Sequence, residues 1–143
     1  MDNRQLTFSH LLYLPARRWR LAVNRRLKNL GLSQASWVAV ASIARHQQPL
    51  SQSELAQELG VESPTIVPLI HRLVALGLVE RITTASDKRK RLLVVTDKGK
   101  ALYEQVKTVA DDLREEILTA ITPQEQEQTQ RVLEKLLREV EKK

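Results

Sequence analysis

Cysteine is absent from the 143 residues, which excludes a disulfide scaffold, thiolate metal sites and cysteine-based redox sensing in this chain. Aromatic side chains are scarce, with two Trp, two Tyr and one Phe. No apolar run approaches the roughly 20 residues that a membrane helix needs, and the N-terminus lacks the uninterrupted apolar core of a secretory signal. Acidic residues are missing from positions 3 to 53, a span that holds eight Arg or Lys. The balance reverses from position 111 to 143, where nine acids stand against six bases, within a total net charge of +6. The histidines, His10, His46 and His71, are scattered without metal-ligand spacing. Neither a glycine-rich phosphate loop nor a nucleophile elbow occurs, and paired carboxylates are confined to the charged C-terminal segment. The expectation is a cytoplasmic protein that is not an enzyme and uses no metal or cofactor.

What is present begins with punctuation. Three of the four glycines lie in one context, Leu30-Gly31-Leu32, Leu59-Gly60-Val61 and Leu76-Gly77-Leu78, and each reads as a helix stop in which glycine takes the left-handed conformation. Ser51-Gln52-Ser53-Glu54 and Thr122-Pro123-Gln124-Glu125 fit the capping box at a helix start, the second with proline in the first turn. Ser33, Ser63 before Pro64, and Thr96 are further N-cap candidates.

Apolar residues recur at three and four positions in Leu12, Ala16, Trp19, Val23, Leu27 and Leu30, and again in Leu102, Val106, Val109, Leu113 and Ile117. These spacings predict long amphipathic helices, followed by a third that carries Val132, Leu133, Leu136, Leu137 and Val140 on one side. A continuous helix from about Thr96 to Ala120 would span about 36 Å, more than one small domain covers. A homodimer built by the first and last two helices is therefore expected.

Between Gly77 and Thr96, residues 78–83 and 91–95 are rich in β-branched residues and too short for helices, so they predict a hairpin. Its loop, Thr84 to Lys90, is longer than a tight turn, and the basic run Lys88-Arg89-Lys90-Arg91 spans its end and the start of the second strand. A protruding cation cluster after a capped helix pair describes a winged helix-turn-helix able to hold a phosphate backbone. The expected fold class is mainly α with a small β-hairpin wing. One domain is expected over residues 1–143, with residues 5–30 and 97–143 as dimerisation helices and residues 33–96 as the winged helix-turn-helix.

Ala85-Ser86-Asp87-Lys88-Arg89, followed by Leu93, Thr96 and Gly99, resembles the Asp-x-Arg wing signature and the Leu/Val-Thr-x-x-Gly strand end of the MarR/SlyA transcriptional regulators. Arg17-Arg18-Trp19-Arg20, Trp37, and Leu59-Gly60 before a proline-containing recognition helix are also similar to the SlyA branch. The resemblance covers most of the chain. It implies a dimeric, mostly helical winged-helix protein that binds pseudo-palindromic double-stranded DNA, acts as a repressor or activator of transcription, and is often released by a small aromatic carboxylate effector. Nucleoid association follows from that role.

A helix opening at Ser63-Pro64-Thr65 directs free N–H groups and two hydroxyls outward, towards phosphates or base edges in a major groove. Ile66, Ile70 and Leu73, with Val67 and Val74 beside them, form its expected buried side. Ser63, Thr65, Pro68, His71 and Arg72 are then left to face DNA, together with Ser51 and Ser53 at the preceding helix start. Similar SlyA-like sequences carry arginine where this chain has Pro68. Proline in a helix interior costs about 3 kcal/mol, so the helix is expected to start later, to bend, or to place Pro68 third. In the wing, Asp87 would orient Arg89 into the minor groove, while Lys88, Lys90 and Arg91 track phosphates. Arg17, Arg18 and Arg20 beside Trp19, with Trp37, form an effector-site candidate suited to an aromatic carboxylate, although both tryptophans also fit the core. An architectural DNA binder or a winged-helix protein-interaction module is the alternative function.

Overall fold

Most helix starts are set by side-chain oxygens. In the computed structural model, which describes residues 5–86 and 91–143, helix α1 (Phe8–Arg26) begins at Thr7, whose Oγ1 accepts the His10 N–H at 3.2 Å. Helix α2 (Gln34–Arg45) begins at Ser33, whose hydroxyl accepts the Ser36 N–H at 3.2 Å. Helix α3 (Gln52–Leu59) carries a complete capping box: Ser51 Oγ accepts the Glu54 N–H at 3.1 Å, and Glu54 Oε1 accepts the Ser51 N–H at 3.2 Å. These caps satisfy donors that the helix itself leaves without partners.

Helix α4 (Ser63–Ala75) starts differently from expectation. Its N-cap is Glu62, in an extended conformation, and Glu62 makes no side-chain cap bond. Ser63 is therefore already helical, and Pro64 sits in the first turn, where no N–H is needed. Pro68 accordingly lies at the sixth helical position. Neither a later start nor a third-position proline describes it. Ile66, Ile70 and Leu73 are buried as expected and Val74 is half-buried, but Val67 is exposed because it falls on the stripe next to Pro68.

Strands β2 (Val79–Thr83) and β3 (Arg91–Val95) form the predicted antiparallel hairpin, with Arg81 opposite Leu93. A third strand, β1 (Leu50–Ser51), pairs with β3 on its other side, giving the order β1-β3-β2. The hairpin is thus part of a three-stranded sheet. The first glycine stop also needs correction, since α1 ends at Arg26 and Gly31 closes a separate 3₁₀ turn over Lys28–Leu30. All three predicted stops, Gly31, Gly60 and Gly77, have positive φ.

Helix α5 (Asp97–Leu118) and helix α6 (Pro123–Glu141) complete the chain, α6 beginning with the predicted capping box of Thr122 and Glu125. Contacts divide the molecule into two compact units, residues 1–109 and 110–143. In the first, Val40, Leu55, Ile66, Ile70, Leu73, Val79 and Leu93 are fully buried and form the core that seats α4 against the sheet. In the second, Leu113 is buried and Leu136 half-buried, while Val132, Leu133, Leu137 and Val140 of α6 are exposed.

Candidate nucleic-acid interface

The outer face of α4 follows from its inner one. Burying Ile66, Ile70 and Leu73 turns Pro64, Val67, Pro68 and His71 outward as one stripe at intervals of three and four residues, and all four are exposed. Thr65 and Arg72 are exposed on this side as well, whereas Ser63 stands above the buried stripe of Ile66, Ile70 and Leu73 and is exposed because it opens the helix. The start of the helix presents backbone N–H groups beside the two hydroxyls, although Thr65 N–H is used by the Glu62 carbonyl at 2.9 Å.

Ser51 is half-buried and committed to the α3 capping box and to strand β1, so only its hydroxyl proton is left to donate elsewhere. Ser53, the second residue of the same helix, is exposed. Arg91 opens β3 opposite Thr83 and is exposed. The remaining wing-tip positions singled out by the sequence, Asp87, Lys88, Arg89 and Lys90, lie outside the described residues.

The base of the hairpin is tied down by two bonds to the end of α4. Thr96 Oγ1 donates to the Gly77 carbonyl at 2.6 Å, and Lys98 Nζ donates to the Leu76 carbonyl at 2.9 Å. A third link joins helix and sheet on the exposed side: the Arg81 guanidinium of β2 donates to His71 Nδ1 of α4 at 3.3 Å. Arg81 was not legible as a site residue from the sequence, where the run of cations at the tip is the stronger signal. Its signal was a lone arginine within the first hairpin strand, at a position that a half-buried strand can turn toward the preceding helix.

The effector-site candidates divide between two environments. Arg17 and Arg20 line an open cleft of about 380 Å³ with Leu12, Tyr13, Ala16, Leu21 and Gln34. Trp37 is buried, its Nε1–H donates to Asn24 Oδ1 at 2.7 Å, and the Arg20 guanidinium lies 5.9 Å from its ring centroid. Trp19 is half-buried and Arg18 exposed, and neither is among the cleft's lining residues. Among the described residues, no group of three or more His, Cys, Asp or Glu could hold a metal ion, and no helix is long and apolar enough to cross a membrane.

The MarR family profile matches residues 30–90, the stretch that contains α2, α3, α4 and β2. Over 96% of this chain and 100% of the other, the fold is similar to the crystal structure of transcriptional regulator PA3341, at 39% identity and a TM-score of 0.91. It is also similar to apo MarR from E. coli, at 27% identity over 92% of this chain and 98% of that one, with a TM-score of 0.76. MepR of S. aureus, solved as a complex with DNA, shares the fold at 23% identity and a TM-score of 0.82, over 94% of this chain and 99% of that one. Winged-helix core, flanking helices and these likenesses agree: the chain belongs to the MarR family of transcriptional regulators.

Proposed function

We propose that this protein is a homodimeric, sequence-specific DNA-binding regulator that places α4 in the major groove and its basic wing in the minor groove of a pseudo-palindromic site. The observation that carries the reading is the outer face of α4, where Thr65, Pro68, His71 and Arg72 are solvent-exposed, with Ser63 exposed at the helix start, while Ile66, Ile70 and Leu73 are fully buried. MepR, which shares the fold, was solved in complex with DNA, and this likeness supports DNA binding as the role of the fold. Arg89, oriented by Asp87, is assigned to the minor groove, and Lys88, Lys90 and Arg91 to phosphates. Val67 and Pro68 supply apolar surface suited to thymine methyl groups.

Selection from randomised duplex DNA tests this directly. A regulator is expected to prefer its selected site over competitor DNA by roughly a thousandfold or more. A ratio near one would instead identify an architectural binder, and no DNA binding at all a protein-interaction module.

Release by a small aromatic carboxylate is the second part of the proposal. The cleft bounded by Arg17 and Arg20 offers cations beside apolar side chains, and the Arg20 contact with Trp37 links it to a fluorophore. Millimolar salicylate is expected to change tryptophan emission and weaken DNA binding. An unchanged emission and affinity would remove the effector role.

A further inference from the structure

His71 and Arg81 form a pair whose chemistry is more restrictive than either residue alone. A guanidinium has five N–H donors, no acceptor, and keeps its charge in proteins. The 3.3 Å contact between the Arg81 guanidinium and His71 Nδ1 can therefore be a hydrogen bond only if Nδ1 offers its lone pair. Neutral imidazole carries a single proton, which then belongs to Nε2. The contact also fixes which edge of the ring is turned toward β2, leaving Nε2–H on the other.

From this geometry we infer that Arg81 is a positioning residue that makes His71 a directional hydrogen-bond donor on the DNA-facing side of α4. A histidine without such a partner is ambivalent, since it can rotate and exchange tautomers to present either a donor or an acceptor. Held by Arg81, it presents Nε2–H alone. Major-groove edges differ in this respect: guanine N7 and O6, adenine N7 and thymine O4 accept, whereas the cytosine N4 amino group donates. His71 is thus matched to an accepting edge, with guanine offering two such atoms, and opposed to the cytosine amino group. On its own stripe, Pro64, Val67 and Pro68 have no hydrogen-bonding side chain, and Thr65 and Arg72 lie on the neighbouring strip. The pair supplies polar readout on a face where the proline and valine supply only shape and apolar contact.

The inference rests on the proposed reading of α4 as the recognition helix, and its test separates the two. Site selection is run with the full-length wild type, His71→Ala, Arg81→Met and the double variant, with thermal unfolding as the check on folding. His71→Ala is expected to lose preference at one base pair in each half-site by about tenfold or more. Arg81→Met is expected to relax the same base pair by about fivefold, and the double variant to behave there like His71→Ala alone, as residues acting through one contact are non-additive. If Arg81 instead contacts phosphate, Arg81→Met leaves base preference intact and lowers the salt slope by about 0.9 per half-site, which overturns the inference. A wild type that selects no sequence overturns the DNA-reading proposal and this inference with it. Selection that His71→Ala leaves unchanged overturns this inference alone. Nitrogen-15 correlation spectra of the free protein above neutral pH supply the readout that a purely structural role would not move. The proton is expected on Nε2, with the Nδ1 resonance shifting in Arg81→Met; a proton on Nδ1 in the wild type refutes the pairing.

Discussion

Gly99 shows how much one missing carbon can matter. A Cβ at this position would run into the Leu78 carbonyl oxygen and lie 3.1 Å from Val95 Cβ, so the first turn of α5 approaches the start of β2 more closely than any side chain permits. That same carbonyl accepts the Thr96 N–H at 3.1 Å, and Thr96 Oγ1 in turn accepts the Gly99 N–H at 3.1 Å. Gly99→Ala must push backbone against backbone, and urea unfolding is expected to show a loss of about 1 to 3 kcal/mol, the usual range for overpacking. Pro68 makes the opposite case. Its ring leaves the Pro64 carbonyl without its i+4 donor on an exposed face, so Pro68→Ala restores a helical bond. Part of the gain of about 3 kcal/mol is offset because proline also restricts the unfolded chain, leaving an expected stabilisation of about 1 to 2 kcal/mol by the same measurement. Sequence alone identified both residues but explained neither fully. Gly99 was legible as a motif position, while the carbonyl that demands it is brought there by β2 and β3.

At the scale of elements, what was legible was whatever a local rule dictates. The capping boxes at Ser51 and Thr122 and the left-handed stops at Gly60 and Gly77 depend on residues within one helical turn, and the structure contains each of them. Features that depend on distant partners were not legible. Strand β1 has two residues and exists because Leu50 and Ser51 meet Leu93 and Leu92, a pairing without any periodic signal of its own. Likewise the Arg81–His71 bond joins residues ten apart through the turn at Gly77. The exposed side of α4 was readable because a buried stripe fixes its complement; the wrong side of Val67 came from treating every apolar residue as core. Helix α3 illustrates the energetic weight of a local rule. Eight residues are too few for a helix that is stable by itself, and its start depends on two reciprocal bonds. Ser51→Ala removes one acceptor and is expected to cost about 1 kcal/mol. Its native-state hydrogen exchange is expected to rise first in α3, and uniform loss across the winged helix would show instead that the cap acts globally.

For the whole molecule, the unresolved balance is exposed apolar surface against a proposed partner. On α6, Leu133, Leu137 and Val140 are 44%, 59% and 69% exposed, and on α1 Phe8 and Tyr13 are 64% and 58% exposed. The three α6 residues recur at intervals of four and three, so they form one stripe on the helix that charged residues otherwise dominate. An apolar stripe of this kind is a mark of association in a water-soluble protein, and an identical stripe on a second copy is its natural complement in a two-fold dimer. Leu133→Glu combined with Leu137→Glu is therefore expected to convert a dimer to a monomer at micromolar concentration in sedimentation. Because both positions are exposed in the isolated chain, helix content should be retained, which distinguishes dissociation from unfolding. DNA binding then loses the second half-site. Two tethered readers act at an effective concentration set by their connection, so separating them is expected to lower affinity for the full site by about 100-fold or more, while affinity for an isolated half-site changes little. A wild type that sediments as a monomer, or a double variant that keeps full-site affinity, would mean that one chain reads DNA alone and that the stripe serves another partner.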